Sequence, residues 1–580
     1  MDFSNTSIAR FMGPAPVRAT TPRGGVLAAD ILTSIATTFA TSPTMIKVKE
    51  GVYCFAGGSI VNRTMIEAPE GLVIFDTGDD AEDGERALAE FRKISDKPIV
   101  AIIYSHNHYA HGTKPFLEGR EGVQIIGHPL VNQHIEELAS GFATGGDFPE
   151  AMPVLTARFL GQFGSLLPET GPDSGFAATI PVGKPKGTVL ANTFVQDGQW
   201  LDVAGLKMQF FTEHFSDSED TLTVWIPSLE LALNNFLWSS LPNFYTLRGD
   251  VFRAPQSWRA GLRVLRDLEP TYLVNTHALP VVGKDKVAEA LDGYMGAIGF
   301  MIDQTMRGIN KGLGPDELRE FVRLPKSLAA CPYNAEVYGE FSYFPPHIYN
   351  HIFGWFDGDA ARIHKLPSAE QARRIIAGFG GVERVSEQCE EALASGEVVW
   401  ALQLADWLVQ GAPGAASDKL KANALREFAY RAPGTIARQF ALTQALALEG
   451  KINQPVAVQP TVNAILSADP GRYVNFQRVR LDPVKVGETV ATLRVVIDDK
   501  ARTFALVIRH GVAEFMADDA AKRLKADAEL RLSHRAWAEL YTGAATLAGG
   551  LDSGAIKADD RAAAERIWAW FDAPPVDAKA

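Results

Sequence analysis

Three histidines lie within six positions of one another, directly after an apolar stretch. The stretch Ile99–Ile103 is rich in β-branched residues and ends at polar ones, which predicts a buried strand with a loop at its carboxyl end. His106, His108 and His111 follow in that loop. Because imidazoles at this spacing can converge on one point, the loop is typical of a metal site. A polar surface loop is the alternative, but the chain has only 12 histidines in 580 residues.

Other strand-like stretches also end in side chains that can bind a metal or orient its ligands. One ends in Asp76-Thr77-Gly78 and another in His277. Asp76 is either a turn residue or a carboxylate that orients a metal-binding imidazole. A loop between two further strands offers five candidate ligands, which are Glu213, His214, Asp217, Glu219 and Asp220. Since binding residues collect on loops at one edge of a scaffold, we expect these strand ends to share one rim of a sheet sandwich.

The elements around these loops alternate between strands and helices. A strand over Leu72–Phe75, a helix from about Ala81 to Ile94 and the strand before His106 predict a βαβ unit next to antiparallel strands. Residues 187–189 and 193–195 are predicted as a strand pair. A helical region over residues 136–168, broken at Gly141 and at Gly145-Gly146, turns its aromatic side chains either to the core or to a substrate channel.

The composition describes a globular protein of several domains. A length of 580 residues gives a prior of about three to four domains. The net charge of -13 and the lack of a Lys/Arg-dense block argue against nucleic-acid binding. No apolar stretch approaches the roughly 18 residues of a membrane span, and no signal peptide precedes the first strands, so we expect a cytoplasmic location. Three distant cysteines indicate neither a disulfide framework nor a cysteine zinc site.

The second half of the chain changes character twice. From about residue 315 to 448 apolar residues recur at helical spacing, with a break at Ser395-Gly396, which predicts paired antiparallel helices resembling a helical repeat. Aromatic residues around Trp355-Phe356 lie either at a subunit interface or inside the chain. From about residue 455 alternating strands and a helix near Trp537 predict a small α+β unit.

Taken together, these motifs resemble the metallo-β-lactamase fold, and within that superfamily the alkyl sulfatase family. Three further stretches carry the resemblance over almost the whole chain: residues 243–249 (NFYTLRG), 276–283 (THALPVVG) and 351–358 (HIFGWFDG). The resemblance implies an αββα sandwich, then an all-α dimerisation domain, then a small α+β domain similar to sterol carriers. The expected boundaries are an N-terminal arm (1–40), a catalytic domain (41–310), a helical dimerisation domain (311–452) and the C-terminal domain (453–580).

The resemblance also implies a function. It predicts a homodimeric hydrolase of aliphatic sulfate esters, acting on a small amphiphilic anion with zinc as cofactor. His106, His108 and an acidic loop residue would hold the first metal. Asp217 lies near the position where the family has Glu, with Glu219 and His214 left as candidates. His111 and His277 match the second metal.

The resemblance also implies which side chains bind the sulfate group. Arg248 would hold sulfate oxygens bidentately, and Asn243 would add an amide donor. Pairing of Arg248 with Asp250 is the alternative.

Two positions depart from the family pattern. Ala110 stands where the family has an aspartate ligand, and Asn235 replaces a bridging carboxylate. These two changes remove up to two negative charges from a site that would hold two dications. We therefore expect one bound zinc, with the second site weakened or lost. The family histidines before residue 243 are absent, so the proton donor is left among Tyr104, Tyr109 and His214. A related hydrolase with one metal and a different ester, lactone or anionic substrate, and a catalytically decayed amphiphile-binding protein, are the alternative functions.

Overall fold

The computed structural model describes residues 2–5, 7–139, 148–177, 179–180, 183–249 and 251–574. The predicted helix breaks at Gly141, Gly145 and Gly146 therefore lie outside the described residues. The chain divides into two compact units, one formed by residues 1–132 and 158–454 and the other by residues 133–157 and 455–580. The first unit begins with a short hairpin and a helix, which are β1 (Arg18–Thr20), β2 (Val26–Ala28) and α1 (Ala29–Thr38).

The described part of the first unit contains a seven-stranded mixed sheet. Its strands, in sheet order, are β3 (Thr44–Lys49), β4 (Val52–Ala56), β5 (Arg63–Ala68), β6 (Gly71–Phe75), β7 (Ile99–Ile103), β8 (Gln124–Gly127) and β9 (Thr193–Phe194). The helices over this stretch of chain are α2 (Ala81–Arg92), α3 (Thr113–Leu117), α4 (Val131–Ala139) and α5 (Met152–Gln162), of which residues 133–139 and 152–157 are assigned to the second unit. β6 and β7 pair in parallel around α2, which is the predicted βαβ unit.

A second sheet of six described strands follows. Its strands are β10 (Trp200–Val203), β11 (Leu206–Phe211), β12 (Thr223–Ile226), β13 (Leu231–Asn234), β14 (Tyr272–Asn275) and β15 (Val281–Val282), and α6 (Pro255–Asp267) connects β13 to β14. β13 and β14 are parallel, while their other neighbours are antiparallel. Parallel pairing requires such a crossover helix.

The two sheets pack face to face through their apolar sides. Val73 and Ile103 of the first sheet share one buried core with Phe210, Leu233 and Val274 of the second. The opposite face of the second sheet packs on Trp258 and Leu262 of α6 within another core. This is the αββα sandwich that the sequence predicted, and it places the carboxyl ends of β6, β7, β13 and β14 where the candidate ligands follow.

One predicted strand is wrong. Residues 187–189 form no strand in the structure. The backbone of Gly187 instead brackets the histidine loop, because its amide donates to His111 O and its carbonyl accepts from Lys114 N. The β propensity of Thr188 and Val189 is overridden by these tertiary hydrogen bonds.

Helices make up the remainder of the first unit. They are α7 (Lys284–Ile309), α8 (Pro315–Phe321), α9 (Lys326–Ala329), α10 (Phe344–Phe353), α11 (Ser368–Gly378), α12 (Val382–Ser395), α13 (Val398–Gly411), α14 (Ala415–Arg431) and α15 (Thr435–Leu448). α12 ends at the predicted break, where Gly396 adopts a left-handed conformation (φ +82°) that glycine tolerates. Cys389, Leu404 and Leu408 then form a buried core between α12 and α13.

The second unit contains a five-stranded sheet with helices. Its later elements are α16 (Val462–Ser467), α17 (Pro470–Phe476), α18 (Pro483–Val486), β16 (Ala491–Ile497), β17 (Arg502–Arg509), β18 (Val512–Ala517), α19 (Asp518–Arg523), β19 (Ala528–Leu532), α20 (His534–Thr542), α21 (Leu547–Ser553), β20 (Ile556–Ala558) and α22 (Arg561–Trp568). Leu493, Phe504 and Trp537 lie in its core. Across the described parts of both units, every helix is too short or too polar to span a bilayer.

Candidate metal centre and anion pocket

Two imidazoles and one carboxylate converge at the rim of the sandwich. His106 Nε2 lies 3.0 Å from His108 Nδ1, and Asp217 Oδ2 lies 3.7 and 3.6 Å from these two nitrogens. Tetrahedral zinc with bonds of about 2.0–2.1 Å holds its ligand atoms roughly 3.3 Å apart. The spacing of the three atoms therefore matches a set of ligands around one ion. Among the described residues this is the group of three that meets the distances of a metal site.

The sequence left three residues of the acidic loop as candidates for the carboxylate position. The structure brings Asp217, which is buried, into the group. Glu219 is exposed, and His214 is half-buried. Asp220 is buried but has a different role, because its carboxylate accepts hydrogen bonds from the backbone and side-chain amides of Asn107, at 2.8 and 2.9 Å. It thereby fixes the residue between the first two histidines.

The histidine loop is held by the segment Asp76-Thr77-Gly78. Asp76 accepts hydrogen bonds from Ser105 N at 2.8 Å and from Thr276 Oγ1 at 3.2 Å. Ser105 and Thr276 directly precede His106 and His277, so one buried carboxylate positions both strand ends. Burial raises the pKa of Asp76 to about 7, although the hydrogen bonds from Ser105 oppose the shift.

A close backbone approach completes this support. Thr77 donates to Tyr109 O through both its amide and its hydroxyl, at 3.0 and 2.8 Å. A side chain at Gly112 would place its Cβ 2.2 Å from Thr77 O, which no real contact permits. Glycine at this position therefore allows the loop to close against the Asp-Thr-Gly segment.

Burial keeps His106 in the neutral state that binds metal. It lowers the pKa of His106 to about 3, against the opposing charge of Asp217. Burial alone would raise the pKa of Asp217, but its interactions with the neighbouring His106 and His108 imidazoles and with the Arg253 cation hold that pKa well below its usual range. His106 Nδ1 lies 2.9 Å from Ser105 Oγ, and donation to that oxygen leaves Nε2 free for a metal.

Asn235 lies within the same cluster. Its Nδ2 donates to Asp217 Oδ1 at 2.7 Å and to Ser216 Oγ at 3.1 Å. Its Oδ1 is buried and has no hydrogen-bond partner among the described residues. An unpartnered buried oxygen beside two imidazoles and a carboxylate fits a bound cation or its water. The donor set itself, neutral nitrogen and ionised oxygen, suits zinc.

His277 and His111 stand apart from the three converging ligands. His277 Nδ1 lies 2.9 Å from Ile60 O, and its Nε2 lies 3.2 Å from the hydroxyl of Tyr109. His111 Nδ1 lies 2.8 Å from Thr188 Oγ1. Both imidazoles are buried, which lowers the pKa of His111 to about 3 and that of His277 to about 4.

The predicted sulfate-binding residues lie on one segment that is anchored to α5. Thr246 Oγ1 and Arg248 N both donate to Gln162 Oε1, at 2.7 and 2.9 Å. The guanidinium of Arg248 donates to Gly249 O at 3.0 Å. Asn243 is buried, and its side chain hydrogen-bonds Tyr338. Asp250, the alternative partner of Arg248, lies outside the described residues.

The sequence reasoning missed three residues of this site, of which Arg253 and Trp238 are buried and Tyr338 is half-buried. The phenol of Tyr338 lies within electrostatic reach of Asp217, Arg248 and Arg253, so it connects the metal cluster to the cationic segment. Arg253 donates to Asn243 O at 3.1 Å. The third is Trp238, whose indole packs on the His277 ring at a centroid distance of 4.3 Å. The two aromatic residues belong to no motif, and Arg253 follows Arg248 by five positions without a distinguishing signal.

Comparisons with known proteins agree with this description. Residues 56–231 match the model of the metallo-beta-lactamase superfamily, residues 314–451 that of the alkyl sulfatase dimerisation domain and residues 461–577 that of the alkyl sulfatase C-terminal domain. A linear primary-alkylsulfatase from Pseudomonas sp. is 34% identical over 517 residues, covering 85% of this chain and 95% of the relative. An alkyl/aryl-sulfatase from Saccharomyces cerevisiae is 25% identical, covering 76% and 69%.

A solved structure shows the same fold along nearly the whole chain. The stereoselective inverting sec-alkylsulfatase Pisa1 from Pseudomonas sp. superposes with a TM-score of 0.75 at 21% identity, covering 99% of this chain and 98% of that one. The sandwich and its rim of histidines thus define a hydrolase of the metallo-β-lactamase superfamily. Within it, the chain belongs to the alkyl sulfatase family, and it is a sulfuric ester hydrolase.

Proposed function

We propose that this chain hydrolyses sulfate esters of aliphatic alcohols with a metal ion held by His106, His108 and Asp217. The observation that carries the proposal is the convergence of two imidazoles and an ionised carboxylate at one rim of an alkyl sulfatase fold. When bound, a zinc ion supplies a hydroxide nucleophile near neutral pH. Asp76 and Asp220 keep the ligand loop in place through their hydrogen bonds to Ser105 and Asn107.

Substrate binding is assigned to the cationic segment and its neighbours. Arg248 and Arg253 offer planar guanidinium groups, which suit the oxygens of a sulfate. Asn243 adds an amide donor. Burial raises the pKa of Tyr338, so its phenol stays a neutral hydrogen-bond donor at neutral pH. These side chains can orient the sulfate and stabilise its charge as the ester bond breaks.

An apolar wall beside the site suits an aliphatic chain. The rings of Phe159 and Phe163 lie 4.6 Å apart, Phe163 lies 6.5 Å from Tyr338, and Tyr338 lies 6.0 Å from Trp238. The series of aromatic rings ends at Trp238, which packs on His277. This arrangement supports an amphiphilic substrate whose charged end lies at the arginines.

The chain carries an alkyl sulfatase dimerisation domain, and we extend the proposal to a homodimer. An apolar surface begins at the end of α10, where Ile352 and Phe353 are exposed, and continues with the exposed residues Trp355, Ile363 and Leu366. A patch of this kind typically marks a protein interface. The four-domain division with boundaries near residues 40, 310 and 452 is part of the same proposal, and the cytoplasmic location stays a prediction.

The test is release of inorganic sulfate from dodecyl sulfate and from a secondary alkyl sulfate. The purified chain is stripped with a chelator, assayed, and assayed again after addition of zinc. His106→Ala is compared with His510→Asn, a change at an exposed turn position that asparagine tolerates.

Release that disappears on stripping, returns with zinc and is lost in His106→Ala alone is the expected result. Full activity without metal would overturn the metal assignment. Absence of sulfate release under every metal condition would overturn the proposed substrate class. Assays of lactone and other ester hydrolysis on the same samples then identify a different hydrolase on this scaffold.

A further inference from the structure

The phenol of Tyr109 occupies the space between two candidate metal ligands. Its ring is buried and meets the rings of His106 and His277 edge to face, at centroid distances of 4.9 and 5.2 Å. Its hydroxyl lies 3.2 Å from His277 Nε2. The side chain of Tyr109 thus occupies the position that a second metal ion would need in order to bind His277 next to the first ligand set.

The tautomer of His277 follows from its other nitrogen. A carbonyl oxygen only accepts hydrogen bonds, so Nδ1 must carry the proton that it donates to Ile60 O at 2.9 Å. Nε2 then has its lone pair free and accepts from the hydroxyl of Tyr109. The lone pair that a metal would need is therefore already used by a neutral donor.

The other residues expected at a second ion are equally unsuited to it. Ala110 offers no ligand atom, and Asn235 contributes a neutral amide that donates to Asp217. His111 is bound to Thr188 and lies within electrostatic reach of the Lys186 cation, which disfavours another positive charge there. None of these three side chains therefore brings a negative charge that would balance a second dication.

We infer that this chain binds a single metal ion, at His106, His108 and Asp217, and that Tyr109 takes the place of a second ion by holding His277 through a hydrogen bond. Tyr109 is then a positioning residue, since it fixes the imidazole that lines the site next to Trp238. The inference rests on the proposed metal site, but it concerns metal content and does not depend on which ester is cleaved.

The experiment measures zinc per chain by elemental analysis after dialysis of the full chain against a series of buffered zinc concentrations. Wild type, His106→Ala, His277→Ala and the double variant Tyr109→Ala/Ala110→Asp are compared. Tyr104→Phe is the matched control, because Tyr104 is a buried tyrosine on the same segment whose hydroxyl bonds Thr113 and Val189 O instead. Circular dichroism and thermal unfolding check that each variant folds.

We expect one zinc per chain for wild type, Tyr104→Phe and His277→Ala, none for His106→Ala, and two for the double variant. Two ions in wild type, or loss of an ion in His277→Ala, would overturn the inference. So would a folded double variant that still binds one zinc, because Tyr109 would then not be what excludes the second. The His277→Ala result decides the matter even if the double variant does not fold. Absence of sulfatase activity in a wild type with one zinc would overturn the proposed substrate and leave this inference standing.

Discussion

The amide of Asn235 donates a hydrogen bond of 2.7 Å to the carboxylate of Asp217. In the absence of metal, the neutral amide of Asn235 thus donates to the carboxylate of Asp217. A second carboxylate at position 235 would instead repel the carboxylate of Asp217. The chain without metal therefore keeps Asp217 ionised and in place, which preorganises the site for one ion. The arrangement has measurable consequences for stability and for metal binding.

Replacing Asn235 by aspartate should make folding depend more strongly on metal. Two carboxylates at hydrogen-bond distance cannot both ionise without a large cost in free energy. The variant stripped of metal by a chelator should therefore unfold at a lower temperature than wild type stripped in the same way. An added dication neutralises the pair, so the increase in Tm on zinc addition should be larger in Asn235→Asp. Thermal unfolding with chelator and with excess zinc measures both effects.

Asn234→Asp is the matched control for this experiment. Asn234 is equally buried, but its side chain donates to Val274 O and accepts from Phe236 N and Leu237 N. Its replacement should lower Tm by the same amount with and without zinc. An equal zinc-dependent increase in wild type and Asn235→Asp would contradict the account of Asn235.

Asp220→Asn should weaken metal binding without removing a ligand. The Asp220 carboxylate accepts from the backbone and side-chain amides of Asn107 and also from the Ser218 hydroxyl, so an amide nitrogen in place of either carboxylate oxygen faces a donor and releases the loop. Loss of such a supporting residue typically costs about 10–100-fold in metal affinity. Competition with a zinc chelator measures the change in affinity. The control is Asp202→Asn, because Asp202 is an exposed turn residue whose carboxylate accepts from Gly205 N. An unchanged affinity would show that the loop does not need this support.

Arg248→Lys should separate anion binding from metal binding. Lysine keeps the positive charge but loses the planar pair of donors, so kcat/KM for dodecyl sulfate should fall by about 10–100-fold. Zinc content should stay unchanged, because Arg248 lies outside the ligand set. Arg266→Lys, at a half-buried position on α6 where the side chain pairs with Asp292, should leave both quantities unaltered. A parallel loss of zinc would place Arg248 in the metal site and contradict its assignment to sulfate.

The sequence predicted those parts of the site that depend on local pattern. The apolar run of β7 and the spacing of His106, His108 and His111 lie within a dozen positions, so periodicity and residue type were enough to locate the loop. The Asp-Thr-Gly segment was recognised too, but its effect on both Ser105 and Thr276 depends on strands that meet only in the folded sheet.

The features that escaped prediction depend on tertiary contacts. Tyr338 belongs to the helical region, about 120 positions beyond Asp217, and its chemistry carries no local signature. The bond between Tyr109 and His277 joins residues 168 positions apart. Residues 187–189 were predicted as a strand from β propensity alone, whereas the backbone there is used to hold His111.

The exposed apolar surface that begins at the end of α10 predicts which substitution disrupts the proposed homodimer. Trp355 is 74% exposed in the single chain, and a large aromatic residue at the centre of an interface contributes strongly to binding. Trp355→Ser should weaken the dimer at least about tenfold, which shifts sedimentation toward the monomer at low concentration. Trp200→Ser, on β10, is the control because Trp200 is also exposed but lies outside this surface. A dimer as tight as wild type in Trp355→Ser would place the interface elsewhere.

Glu340 predicts a pH dependence of stability that is separate from the metal site. Burial, followed by repulsion from Glu336, raises the pKa of Glu340 to about 8. A carboxyl group whose pKa is higher in the folded than in the unfolded protein stabilises the folded state most at low pH. This contribution to the free energy of unfolding is lost as the pH rises through the pKa of the folded protein. The free energy of unfolding of wild type should therefore fall by about 2 kcal/mol between about pH 6 and pH 8 relative to Glu340→Gln, in which this group does not ionise. Urea unfolding of the zinc-loaded proteins measures the difference, with Glu85→Gln as the exposed control on α2. A Glu340→Gln variant whose stability falls with pH as steeply as that of wild type would show that this carboxyl is already ionised throughout the range.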